Sequence, residues 1–142
     1  MLHTAVKAPA SHTLRIPDGL SSVEAAPLFC AGVTVYRSLK RANILPGQRL
    51  AIFGIGGLGH LGVQFGQALG ADVIAVDVSE EKLALARSFG ASATLNAATA
   101  KVIKELRDRG GVHVALVTSA ARASYETAFY CCLLYTSDAA DE

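Results

Sequence analysis

Cysteine is scarce in this 142-residue chain. Cys30, Cys131 and Cys132 are too few for a disulfide framework, and a reducing cytoplasm is the expected setting. Aromatic residues make up 6% and are not interleaved with clustered bases, so no nucleic-acid surface is expected. Long hydrophobic runs are also missing. The stretch around Ile52 to Leu69 is broken by glycines, His60, Gln64 and Gln67, which argues against a membrane span. The opening residues carry no signal-peptide pattern, and the sequence shows neither a low-complexity linker nor a repeat beyond alternating strand and helix.

Charge is nearly balanced, 13 Lys and Arg against 12 Asp and Glu, for a net +1. The last eleven residues, CLLYTSDAADE from Cys132 to Glu142, resemble the direct translation of a transposon-based sequencing adapter. The alternative is a short natural strand with an acidic tail. The segment is set aside from fold reasoning, as an expression scar would be. It holds Asp138, Asp141 and Glu142 and no base, so the remainder has 13 bases against nine acids, or +4. About 131 residues are then left, enough for one domain at most.

Residues 50–77, LAIFGIGGLGHLGVQFGQALGADVIAVD, carry the strongest signal. Leu50 to Phe53 is an apolar run introduced by the turn pair Pro46-Gly47 and fits a buried parallel strand. Gly54, Gly56 and Gly59 follow as G-x-G-x-x-G. In such a unit the first glycine permits the tight turn, the second leaves room for a phosphate, and the third lets the helix pack on the sheet. Gly57 lies inside the turn, and Gly62 extends the small-residue stripe. A helix from about Leu58 to Leu69 would aim its free amides and positive dipole end at a pyrophosphate, with Gly70 ending it. Asp77 closes the next apolar run 18 residues after Gly59, close to the usual spacing of about 20 for a ribose-binding acid. A carboxylate accepts from both ribose hydroxyls and repels a 2′-phosphate, so NAD is expected rather than NADP. The bland reading of Asp77 is an exposed strand-end carboxylate.

The alternation continues. Ser79 is a plausible cap for a helix ending at Gly90. Ala93 to Asn96 can form a third strand, Ala98 to Arg109 a helix ended by Gly110-Gly111, and Val112 to Val117 a fourth buried strand with Thr118 and Ser119 at its carboxyl end. Ala123 begins another helix. The expected fold is α/β, a Rossmann-type doubly wound parallel sheet, incomplete at four strands in the order 3-2-1-4. Upstream, Ser21-Ser22-Val23-Glu24 fits a capping box opening a helical stretch from Ala25 to Ala42, with Pro27 tolerated near its start.

The block APLFCAGVTVYRSLKRANILPGQRLAIFGIGGLGHLGVQ resembles the zinc-dependent alcohol dehydrogenases of the medium-chain dehydrogenase/reductase superfamily. The resemblance runs from roughly Leu14 to Tyr130 and is most specific in PLFCAGVTVYRSL and GIGGLGHLGVQ. It implies that Cys30 is the third protein ligand of a catalytic zinc, that Thr34 packs near the nicotinamide, and that Leu58 lies behind its ring. Gly54, Gly56, Gly57 and Gly59 would form the pyrophosphate loop. Asp77 and Lys82 would contact the ribose, and Thr118 and Ser119 would line the cofactor cleft. The implied reaction is hydride transfer between an alcohol carbon and NAD, with a small alcohol or aldehyde as substrate and a homo-oligomeric full-length parent.

Departures from that pattern are as informative. The family's first zinc cysteine, its His-Glu pair and its four-cysteine lobe have no match here, and one thiolate cannot hold a catalytic zinc, which needs about three protein ligands. Residues 1–17 are therefore expected to be a remnant of a catalytic domain, with Met1 an internal start. Residues 18–131 are expected to be a truncated NAD-binding domain, inactive alone. Each residue also has a plainer reading. Cys30 could be a small buried hydrophobe, Thr34 a helix residue bonding back to its own turn, and Lys82 a solvated lysine. His60 and His113 read as structural. A non-catalytic NAD-binding module, an S-adenosylmethionine methyltransferase and a zinc-free quinone reductase remain as rival readings.

Overall fold

The computed structural model describes residues 7–133. Residues 1–6 and 134–142, the start of the leader and most of the adapter-like tail, lie outside the described residues. Strands β1 (Arg49–Phe53), β2 (Asp72–Asp77), β3 (Ala93–Asn96) and β4 (Val114–Val117) alternate with helices α3 (Gly59–Ala68), α4 (Glu80–Ser88) and α5 (Val102–Asp108). Helices α1 (Ser22–Ala25) and α2 (Ala31–Arg41) precede them, and α6 (Arg122–Cys131) follows. All pairings are parallel, and the sheet order is β3-β2-β1-β4, as the alternation of strand and helix predicts.

The two faces of the sheet bury two cores, because successive strand residues point to opposite sides. Leu50 and Ile52 of β1 join Val73 and Ala75 of β2, and these pack with Val35, Leu39, Val63 and Leu83 on one face. Ala51, Phe53, Ile74 and Val76 meet Leu95, Leu106, Val112 and Ala128 on the other. With both faces covered, β1 is buried from Leu50 onward, which is why it reads as a continuous apolar run. Gly70, Gly90 and Gly110 adopt positive φ after α3, α4 and α5, the left-handed stop that glycine favours.

Arg49 fixes the start of the sheet. Its Nε donates to the Gly111 carbonyl at 2.5 Å and its Nη2 to the Gly110 carbonyl at 2.8 Å, satisfying acceptors past the end of α5. The His113 ring accepts from the Arg49 amide at 3.1 Å, so its role is structural as expected.

Three boundaries differ from the sequence reading. The stretch Ala25 to Ala42 is not one helix: α1 passes into a 3-10 turn over Ala26–Phe29, and α2 begins after Cys30. Pro27 lacks an amide, and its ring would crowd the carbonyl one helical turn earlier, so an uninterrupted α-helix is disfavoured there. Helix α5 starts at Val102, not Ala98, because Asn96 captures the intervening turn. Its side-chain oxygen accepts from Ala98 and its carbonyl from Ala100, at 2.9 and 2.8 Å. Strand β4 starts at Val114, and all four of its residues are only half-buried. Val112 pairs instead with Cys132 in a parallel bridge, and the Leu133 amide donates to the Val112 carbonyl at 2.8 Å.

Outside the sheet, the capping box forms as read. The Glu24 amide donates to Ser21 Oγ at 3.3 Å and the Ser21 amide to Glu24 Oε2 at 3.0 Å. The Ser21 hydroxyl, which donates to Glu24 Oε2 at 2.6 Å, and then the Ser21 amide hold the Glu24 carboxyl below its usual pKa. No helix among the described residues is long and apolar enough to cross a membrane.

Candidate dinucleotide-binding site

Register sets the geometry of the site. Phe53 of β1 lies level with Val76 of β2 and Val117 of β4, so Asp77 and Thr118 arrive on either side of Gly54. The glycines between β1 and α3 then divide into two kinds. Gly54 has φ +92°, and a Cβ there would lie 2.9 Å from the Ser119 Cβ and 3.0 Å from its amide nitrogen. A Cβ on Gly59 would fall on the Gly54 carbonyl oxygen and lie 3.1 Å from Thr118 Oγ1. Side chains at Gly56 and Gly57 would meet nothing within 4 Å. The first pair is glycine because the protein folds back on itself; the second leaves the mouth of the loop open.

The close packing expected at Gly59 is shared by its neighbours one and two turns on. A Cβ on Gly62 would sit 3.2 Å from Ile52 and Leu116, and one on Gly66 would lie 2.8 Å from Leu50 and Val73. Gly66 was not singled out from the sequence, although its place on the stripe, seven residues after Gly59, was the available signal.

Asp77 is not the exposed carboxylate of the bland reading. It is 8% exposed, its Oδ2 accepts from the Ile55 amide at 2.6 Å and its Oδ1 from the Ser79 amide at 3.0 Å. Lys82 Nζ approaches Oδ2 at 4.0 Å with its side chain half exposed. A carboxylate offers about four lone-pair positions, so two amides leave acceptor capacity toward the open loop. Thr118 Oγ1 donates to the Gly54 carbonyl at 2.6 Å. His60 Nδ1 lies 2.9 Å from the Gly56 carbonyl, the structural role expected of it.

Two cavities open around this turn. One of about 340 Å³ is lined by Thr34, Ser38, Leu58, Thr118, Ser119 and Tyr125, bringing together the residues assigned to the nicotinamide end. The other, about 730 Å³, is lined by Gly54, Asp77, Ser119, Lys101 and Arg107 among others. Lys101 and Arg107 were not foreseen; on α5 and its approach they are indistinguishable in sequence from solvated bases. The loop, the amino end of α3 and the buried acid fit the pyrophosphate and ribose of a dinucleotide, because Gly56 and Gly57 leave open space beside amides that have no partner inside the helix.

Zinc is a different case. Cys30 is exposed, which removes the buried-hydrophobe reading, and it lines neither cavity. Thr34 Oγ1 donates back to the Cys30 carbonyl at 2.8 Å, the plainer of its two readings. Among the described residues no group of three or more His, Cys, Asp or Glu could hold a metal ion. The residues present therefore do not fit a complete zinc site. Cys131 is buried, and burial pushes its thiol up to about 12.

Comparison with known proteins follows the same lines. The family model described as zinc-binding dehydrogenase matches residues 57–133. An alcohol dehydrogenase of Geobacillus stearothermophilus is 45% identical over 124 residues, 87% of this chain and 37% of that protein. Among solved structures, the alcohol dehydrogenase of the archaeon Aeropyrum pernix superposes with TM-score 0.75 at 39% identity, covering 83% of this chain and 37% of that one. The quinone oxidoreductase of Thermus thermophilus, solved also in complex with NADPH, gives TM-score 0.70 at 32% identity, over 80% and 38% of the two chains. This chain thus spans little more than a third of the length of these relatives.

Proposed function

Because the chain belongs to the zinc-binding dehydrogenase family, we propose that it is the NAD-binding portion of an alcohol dehydrogenase that acts on a small alcohol or its aldehyde or ketone. The observation that carries this reading is the open mouth at Gly56 and Gly57 facing the amino end of α3, with the Asp77 carboxylate buried beside it. Bound there, NAD would supply the hydride acceptor for the alcohol carbon. This chain's part is to hold and orient. The loop amides and the dipole of α3 take the pyrophosphate, Asp77 and Lys82 the adenosine ribose, and Thr34, Leu58 and Thr118 flank the nicotinamide in the smaller cavity.

Cys30 is proposed as one zinc ligand of the longer protein, its partners lying on residues this chain does not contain. A zinc-free quinone reductase is the second reading, favoured by the likeness to the Thermus thermophilus enzyme; the exposed Cys30 favours the first. Titration calorimetry of the chain with NAD, NADP and S-adenosylmethionine tests the cofactor assignment. NAD should bind most tightly, and S-adenosylmethionine in its place would make this a methyltransferase-like module.

A further inference from the structure

Three consecutive backbone groups of the loop, at Gly54, Ile55 and Gly56, are each held by a side chain from a different element. Thr118, just past β4, donates its hydroxyl to the Gly54 carbonyl at 2.6 Å and reaches the Phe53 carbonyl at 3.2 Å. Asp77, the last residue of β2, accepts the Ile55 amide at 2.6 Å. His60, in the first turn of α3, bonds the Gly56 carbonyl at 2.9 Å; a carbonyl only accepts, so Nδ1 carries the proton. Backbone bonds add to these: the Gly54 amide donates to the Val76 carbonyl at 2.8 Å and the Ser119 amide to the Phe53 carbonyl at 3.1 Å.

We propose that Thr118, Asp77 and His60 form a three-point clamp that fixes the loop in its phosphate-accepting shape before any ligand arrives, with Thr118 and His60 as positioning residues. The inference rests on the cofactor reading above for its purpose, but not for its geometry. What such a clamp supplies is preorganisation: a loop of glycines is the segment of the chain with most conformational freedom to lose, and ordering it in advance spares that cost at binding. Glycine is required at Gly54 by contact with Ser119 and at Gly59 by the Gly54 carbonyl oxygen, so the turn cannot be stiffened by adding side chains there. Hydrogen bonds from flanking elements are the remaining means. The parallel register puts the ends of β2 and β4 level with Gly54, where such side chains can reach.

Amide hydrogen exchange of the ligand-free 142-residue chain tests the clamp directly. Thr118→Val, nearly isosteric, should speed exchange over residues 54–59 by about tenfold and leave Ala51 and Ile52 of β1 unchanged, while Thr118→Ser restores the wild-type rates. Unchanged loop exchange in a folded Thr118→Val overturns the proposal. Should that variant lose protection in β1 as well, His60→Ala, at a half-exposed position, decides instead: faster exchange confined to the loop supports the clamp, and wild-type rates reject it. NAD titration of the same variants is read separately. A wild-type chain that ignores NAD removes the cofactor reading and leaves the clamp to be judged on exchange. Binding by wild type with at least about tenfold weaker binding by Thr118→Val joins the two.

Discussion

Strands β1 and β4 lie side by side, in register from Leu50 and Val114 to Phe53 and Val117, and both are short apolar runs. Their surroundings differ completely. Strand β1 has β2 on one side, β4 on the other and helices over both faces, and four of its five residues are buried. Strand β4 has β1 on one side and, among the described residues, only the bridge from Val112 to Cys132 near its start on the other, and none of its residues is fully buried. Helix α6 beyond it leaves Tyr125, Phe129 and Tyr130 more than half exposed. An apolar run therefore reports what a strand could bury, and its neighbours decide how much it does.

The sharpest break of this comparison is at the turn leaving β1. Gly59→Ala would drive a methyl group onto the Gly54 carbonyl oxygen, a contact that backbone on both sides cannot relieve. We expect NAD binding to be abolished and stability to fall by about 3 kcal/mol, read by calorimetry and urea unfolding. Gly56→Ala, facing open space, should leave stability within about 1 kcal/mol of wild type while weakening binding. Equal stability losses for the two would end the division between packing and ligand glycines.

The two strands themselves give the next largest effect. Leu50 is fully buried while Leu116 is half-buried on the same face. Leu50→Ala should cost about 3–4 kcal/mol and Leu116→Ala about 1–2, measured by denaturant midpoints at constant slope. Matching losses would mean that β4 is as well packed as β1 in solution.

Much of this was legible in the sequence, and the failures share a cause. Spacing alone located β1, α3, β2, β3 and the strand order, because those elements are set by local periodicity and by glycines with positive φ after each helix. The capping box at Ser21 and Glu24 needed only four residues. By contrast, the 3-10 turn over Ala26–Phe29, the late start of α5 and the thin burial of β4 depend on a proline's missing amide, on the Asn96 side chain, and on neighbours far away in sequence. Within the site, the motif located the loop and the acid. It did not show that Asp77 would be buried with two amides already bound, or that His60 and Thr118 would hold nearby carbonyls, since those bonds join residues 4 to 64 positions apart.

Asp77 sits where the buried and the open parts of the site meet, so its substitution separates their contributions. Asp77→Ala removes the acceptor for the Ile55 amide and the group proposed to read the ribose hydroxyls. NAD affinity should fall by about tenfold or more, and NADP, no longer facing a carboxylate, should bind nearly as well as NAD. Unchanged affinities for both would remove Asp77 from the ribose role and leave it only its bonds to the loop.

The smallest expected effect uses the cysteines to compare the region before the sheet with the edge after it. Cys30 is exposed and Cys131 is 1% exposed with its thiol raised to about 12 by burial. The thiolate is the reactive form, so in the native chain at pH 8 iodoacetamide should modify Cys30 well before Cys131, as read by peptide mass spectrometry. The sign of the pH dependence follows from the same burial. The folded-state pKa lies above the ordinary thiol value, so the unfolded chain loses its proton first. Any stability tied to keeping Cys131 neutral is whole below about pH 9 and drains away as pH rises toward 12. If Cys131 were alkylated as fast as Cys30, the end of α6 would be opening, and the weakness seen in the burial of β4 would extend to the helix that covers it.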